Sequence, residues 1–190
     1  MTGIQALERI AATKPMRPGE VELVEFEYKR NGTQCLIGNF EVATGEVIRP
    51  TVQKTRTEED FAKHIARTVA TDPEAGWIFV TDNLTIHCSE SLVQYVAKVC
   101  GVEDDLGKKG RRGVLKSVAT RKKYLMDCDH RIRFVYVPKH TSWLNQIEIW
   151  FSILVRRVIK RDSGASSDQA RELHLGVGPA GEDPGVYRIL

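Results

Sequence analysis

Apolar and polar residues alternate in the first part of the chain, and the period then lengthens to that of helices. Val24, Phe26 and Tyr28 are spaced by two, as are Cys35 and Ile37, and the two runs meet at Asn31-Gly32. Both residues of that dipeptide tolerate positive φ, so the pattern predicts a tight hairpin there. A second turn at Thr44-Gly45 separates "CLIGNFEV" from "EVIRPTV", which gives three consecutive antiparallel strands. The preceding stretch, "MTGIQALERIAATKPMRPGE", has two prolines and no sustained period, and reads as a polar lead-in over residues 1–20.

From Arg56 the helical period takes over. "RTEEDFAKHIARTVA" places Phe61, Ile65, Thr68 and Val69 on one face, with Thr57 as the cap and acids in the first turn. "GWIFVTDN" is a short continuous apolar run of the kind buried on both faces of a sheet. "SESLVQYVAKVCG" is helical, with Leu92, Val96 and Val99 in register and Gly101 as its stop. "RIRFVYVP" is a further strand closed by Pro138, and "SWLNQIEIWFSILVRRVIKR" is the last strong helix. The fold class is α/β. Hairpin strands, helix, strand, helix, insertion, strand and helix follow the order of a ribonuclease H-like mixed sheet flanked by helices, without its first strand. A doubly wound sheet is the competing architecture, but the early connections are too short for parallel crossovers. Residues 21–161 form this one domain. Residues 162–190 are rich in Gly and Pro, lack a period, and read as a disordered tail.

Charge sharpens the picture locally rather than globally. The formal net charge is only +3, but ten basic residues fall between Lys108 and Arg133 against Asp127 and Asp129. The segment 103–129 is therefore a basic insertion, either a solvated face or a phosphate-binding surface. Its candidate phosphate contacts are Lys108, Lys109, Arg111, Arg112, Lys116, Arg121, Lys122 and Lys123. The four cysteines include no CxxC pair, and Cys128 with His130 has no second half of zinc-like spacing, so reduced thiols in a cytoplasmic protein are expected. No apolar run approaches a membrane span, and no secretory leader pattern opens the sequence.

Candidate chemistry sits where the apolar run 77–81 ends. Asp82 follows it, then Asn83, and His87 lies four residues further on. Ligands of open α/β sheets bind at the carboxyl ends of strands, where the sheet fixes a side chain whose head reaches solvent. The plain alternative is a helix cap. In the last helix Asn145, Glu148, Ser152 and Arg156 form one polar line, while Ile147, Trp150, Phe151, Leu154 and Val158 supply the apolar side. Glu148 thus projects from a helix that follows a strand neighbouring the one ending in Asp82; the plain alternative is a surface glutamate. Two carboxylates converging from different elements suit a hard divalent cation, and paired cations catalyse phosphoryl transfer. His87 either orients a phosphate or is a satisfied helix-end histidine.

"VTDNLTIH" followed by "FVYVPKHTSWLNQIEIWFS" closely resembles the DDE-class transposases of bacterial insertion sequences related to the mariner elements. "IQALERI…TKPMRPG" and "EFEYKRNGTQCLIGNFEVATGEVI" match the same group, and the resemblance covers residues 3–161. It implies a ribonuclease H-like domain in which three acids hold two Mg²⁺ (or Mn²⁺) ions for DNA strand cleavage and strand transfer. Asp82 matches the second acid and Glu148 the third, so both are the implied catalytic and metal-binding residues. Asn83 and His87 lie in the motif around the second acid; Trp143, Asn145 and Gln146 lie in that around the third. The implied partner is double-stranded DNA, at transposon ends and target, with a homodimer or pairing with full-length transposase. The family's first acid precedes the "IQALER" block, and no Asp or Glu does so here. The expectation is an N-terminally truncated copy, weak or inactive alone. A non-enzymatic DNA-binding remnant that modulates the full-length enzyme, and a ribonuclease H-like nuclease, are the alternatives.

Overall fold

The computed structural model describes residues 2–11, 14, 16–21, 23, 26–102, 105–138, 141, 146–156 and 188–190. Trp143 and Asn145, along with most of the predicted tail, lie outside the described residues.

Three antiparallel strands open the fold in the order β1 (Thr2–Arg9), β2 (Tyr28–Phe40) and β3 (Val47–Gln53). Their composition departs from the expectation in two ways. Residues 2–9, expected as lead-in, are a strand. Asn31-Gly32, expected as a hairpin turn, sits inside β2. The register explains both. Gln5 faces Thr33 and Leu7 faces Arg30, so one extra β2 residue is absorbed at Asn31-Gly32 as a bulge, with Gly32 at φ 132°. The turn lies further out, at Arg17–Glu20, where Pro18 precedes Gly19 at φ 83°. Proline followed by glycine at positive φ is the chemistry of a type II turn. The second predicted turn holds: Gly45 has φ 75° and Glu41 N–H donates to Glu46 O at 2.8 Å.

Helix α1 (Glu58–Val69) begins with a capping box in which Thr57 and Asp60 bond each other's backbone N–H groups. Helix α2 (Glu90–Cys100) is capped by Ser89 and ended by Gly101 in the left-handed conformation. Between them runs β4 (Trp77–Thr81), parallel to β5 (Ile132–Tyr136) with Thr81 opposite Tyr136. The basic segment is not a bare loop. Gly107 and Gly113 bend it through positive φ where a Cβ would strike backbone atoms under 3.0 Å away. It then enters helix α3 (Val118–Leu125) through a second capping box made by Ser117 and Thr120.

Alternation along the strands divides the core between two faces. Cys35 and Ile37 of β2, with Trp77 and Phe79 of β4, join Phe61, Ile65, Leu92 and Val96 under the first two helices. Leu36 points the other way, to Ile147, Phe151 and Leu154 of α4 (Gln146–Leu154). Gly38 is the close approach on that face, for a Cβ there would lie 3.2 Å from Val47 Cγ1, with Ile147 next at 3.6 Å. Residues 188–190 lie in the segment expected to be disordered, yet Arg188–Ile189 form β6, parallel to β4, and Leu190 is buried. Leu190 N–H donates to Ile78 O at 2.8 Å, which gives an apolar residue a backbone partner and a core contact that no sequence period announces. The molecule is thus a mixed α/β structure with antiparallel and parallel sheets flanked by helices.

Candidate functional site at the end of the central strand

The five residues of β4 are β-branched or aromatic, and their rings set the strand in place. Trp77 and Phe79 stack 6.0 Å apart, and Phe79 stacks on Phe134 of β5 at 5.1 Å. Asp82 is the next residue after this rigid strand. One of its oxygens, Oδ1, lies 2.7 Å from His87 Nδ1 and accepts a hydrogen bond from Leu84 N–H at 3.1 Å. The loop is therefore a short Asx turn leading into a 3₁₀ turn at Thr85–Cys88, and it brings His87 back under Asp82. Neither Asp82 nor Asn83 caps α2; Ser89 does.

Burial raises the affinity of the half-buried Asp82 carboxyl for a proton. The imidazole of His87 and the Leu84 N–H outweigh it, so the group is held below the ordinary aspartate range. His87 is itself buried, its ring 4.4 Å from that of Phe61, and Nε2 has no hydrogen-bond partner among the described residues. The structure thus gives His87 to Asp82. Tyr136 closes the site from β5, donating its hydroxyl to His87 O at 2.8 Å. Burial, then its neighbour Cys88, drives the Tyr136 phenol far upward, so it stays a donor.

Asn83 and Lys122 complete this group. Asn83 Nδ2 donates to Val137 O, its Oδ1 accepts from Lys122 Nζ, and the same ammonium lies 4.5 Å from the Tyr136 ring centroid. The other predicted DNA contacts go elsewhere. Lys109 pairs with Glu58 at 3.0 Å and Glu90 at 3.5 Å, and Arg112 pairs with Asp105 at 3.2 Å. Arg121 is buried, donating to Cys88 O and Leu115 O. Lys108, Arg111, Lys116 and Lys123 are exposed.

Glu148 stands apart from that group. It is exposed on the first turn of α4 and lines an open groove of about 680 Å³ with Thr2, Phe151, Ser152, Val155 and Arg156. Of the predicted polar line, Glu148, Ser152 and Arg156 are exposed on one side of the helix, with Ser152 donating to Glu148 O and Arg156 to Ser152 O, while Asn145 lies outside the described residues. Gln146, two residues earlier, lines a smaller cavity of about 110 Å³ with Gly38, Leu190 and Val80, the last of these two residues before Asp82. The start of α4 therefore borders the end of β4, while among the described residues no hydrogen bond joins Asp82 to Glu148. Among the described residues no group of three His, Cys, Asp or Glu side chains is arranged to hold a metal ion. Sequence reasoning missed Tyr136 and the pairing of Asn83 with Lys122; Tyr136 ends a predicted strand beside the one ending at Asp82, which was the available signal. No described helix is long and apolar enough to cross a membrane.

No curated protein and no solved structure matches this chain. The family model described as DDE superfamily endonuclease matches residues 2–171. That span contains Asp82, Asn83, His87, Lys122 and Glu148, and with it this chain belongs to the DDE superfamily of endonucleases.

Proposed function

We propose that this chain is the catalytic-domain portion of an insertion-sequence transposase related to the mariner elements. Its reaction is metal-dependent cleavage and joining of DNA strands, on a ribonuclease H-like scaffold. The observation that carries the reading is Asp82 itself. An ionised carboxylate is fixed at the carboxyl end of a buried strand, with one oxygen committed to His87 and Leu84 and the other free of hydrogen bonds among the described residues. The antiparallel trio followed by a parallel pair supports the scaffold.

The donor types of Asp82 and Glu148 fit Mg²⁺ or Mn²⁺, which take carboxylate oxygens and water. A divalent cation there would supply charge stabilisation at a phosphodiester and a more acidic attacking water. The chain's own residues have separate tasks. Asp82 offers its free oxygen as a ligand, His87 holds the other oxygen still, and Glu148 offers a second carboxylate from α4. The commitment of one Asp82 oxygen to His87, with no group of three metal-ligating side chains assembled among the described residues, favours the second reading, a DNA-binding form that modulates a complete transposase.

Two measurements separate these readings. Mn²⁺ should raise the melting temperature of the full chain, and Asp82→Asn and Glu148→Gln should each abolish that rise. Slow cleavage of a transposon-end duplex should fall at least about a hundredfold in Asp82→Ala. Salt-sensitive DNA binding with no response to Mn²⁺, indifferent to both acids, would replace the first reading with the second. Cutting confined to RNA–DNA hybrids would point to a ribonuclease H-like nuclease instead.

A further inference from the structure

We propose that Lys122 is the phosphate-contacting cation at the mouth of β4, and that Asn83 is the residue that positions it. The inference rests on the DNA-directed reading above and narrows it to one side chain. Among the cations of the basic segment, Lys109 and Arg112 are paired with acids and Arg121 is buried against carbonyls. Lys122 differs from all three. It has no acidic partner among the described residues, and it is the one brought to the Asp82 turn.

The placement is built from both sides. The amide of Asn83 has each end committed, its NH₂ to Val137 O just past β5 and its oxygen to the Lys122 ammonium. Turning the amide over would set its oxygen against a carbonyl and its NH₂ against an ammonium, so the orientation is fixed. From the helix side, Arg121 Nε donates to Cys88 O at 2.7 Å and Nη1 to Leu115 O at 3.2 Å. That staple fastens α3 to the 3₁₀ turn that carries His87, the partner of Asp82. The neighbouring side chain, Lys122, therefore starts from a backbone held in register with the carboxylate.

The ammonium rests between a neutral amide and the face of Tyr136, 4.5 Å from the ring centroid. Both partners localise a cation without neutralising it. An ammonium has three donors and Asn83 takes one, which leaves donors for phosphate oxygens. A phosphodiester approaching Asp82 carries negative charge, and a fixed positive group on the next residue, Asn83, offsets part of the repulsion between phosphate and carboxylate. Lys122 thus binds the backbone of the strand at the site, and Asn83 acts through it.

Salt-dependent binding of a short generic DNA duplex by the full chain tests this directly. Removing one phosphate contact should lower the slope of log affinity against log salt by about 0.9. Lys122→Gln should show that loss, Lys122→Arg should retain the slope, and Lys98→Gln, on the exposed side of α2, should leave it unchanged. Asn83→Leu should weaken binding in the parent chain but cost nothing further in the Lys122→Gln background, the non-additivity of residues acting as a unit. An unchanged slope in folded Lys122→Gln, or an equal cost of Asn83→Leu in both backgrounds, would overturn the assignment and leave the DNA reading standing. Failure of the parent chain to bind any duplex would remove both.

Discussion

Asp82 and Glu148 carry the same functional group in opposite surroundings. Asp82 is half buried, follows a strand whose rings are stacked into the core, and has a buried histidine against one oxygen. Glu148 is exposed on a helix whose other face packs on β2, and no hydrogen bond reaches its carboxylate among the described residues. The first has little conformational freedom left, whereas the second keeps more of its own. The contrast identifies where the fold invests in the site. It builds the Asp82 turn from several elements and, among the described residues, gives the Glu148 carboxylate no partner.

The largest effect should come from the floor of that turn. Phe79 is 1% exposed and stacks on both Trp77 and Phe134. Phe79→Ala should cost about 3–5 kcal/mol in denaturant unfolding, the range for deleting a buried aromatic ring. Phe151→Ala, beneath Glu148, should cost less. Its cluster is smaller, and neighbouring Trp150 is only partly buried. A larger loss at Phe151 than at Phe79 would reverse the comparison.

Acid separates the two regions next. His64 is buried and bonded through Nδ1 to Thr51, and burial pulls its pKa down to about 4. The unfolded histidine takes up a proton near pH ~6.5, so acidification from there to about pH 4 favours the unfolded chain by roughly 3 kcal/mol. Asp82 gives a separate limb. Its folded pKa lies below the unfolded aspartate value, so its contribution is full above about pH 4 and is lost as pH falls through the folded value. Urea midpoints followed against pH should lose the upper limb in His64→Gln and the lower one in Asp82→Asn. Glu148→Gln should leave both limbs in place.

Local signals in the sequence located the strand ending at Asp82, the Thr57 cap, the Gly101 stop and the apolar face of α4. Each depends on neighbours within a few positions, and the chain spells those out. Partner choice does not work that way. Asn31-Gly32 carries good hairpin chemistry, but β1 supplies a strand that turns it into a bulge, and the turn falls at Pro18-Gly19 instead. The basic run was equally opaque. Lys109 and Lys122 look alike in sequence, and what separates them is Glu58, 51 residues from Lys109, and Asn83, 39 residues from Lys122. Convergence of Asp82 with Glu148 was an expectation that the described contacts neither join nor replace.

The smallest effect sharpens the comparison most. Glu148→Gln removes a charge from an exposed helical position and keeps the side chain's length and its backbone hydrogen bond from Ser152. Exposed substitutions that break no such feature change stability by no more than about 0.5 kcal/mol. Asp82→Asn also keeps the side chain's size, but it takes the charge from beside His87 and should cost about 1–3 kcal/mol, the range for leaving a buried polar group poorly satisfied. Unfolding curves at neutral pH compare the two directly. A Glu148→Gln cost matching that of Asp82→Asn would mean that Glu148 is held as firmly as Asp82, by contacts outside the described residues. A null result for Glu148 beside a clear cost for Asp82 would leave one carboxylate built into the fold and the other contributing nothing to its stability.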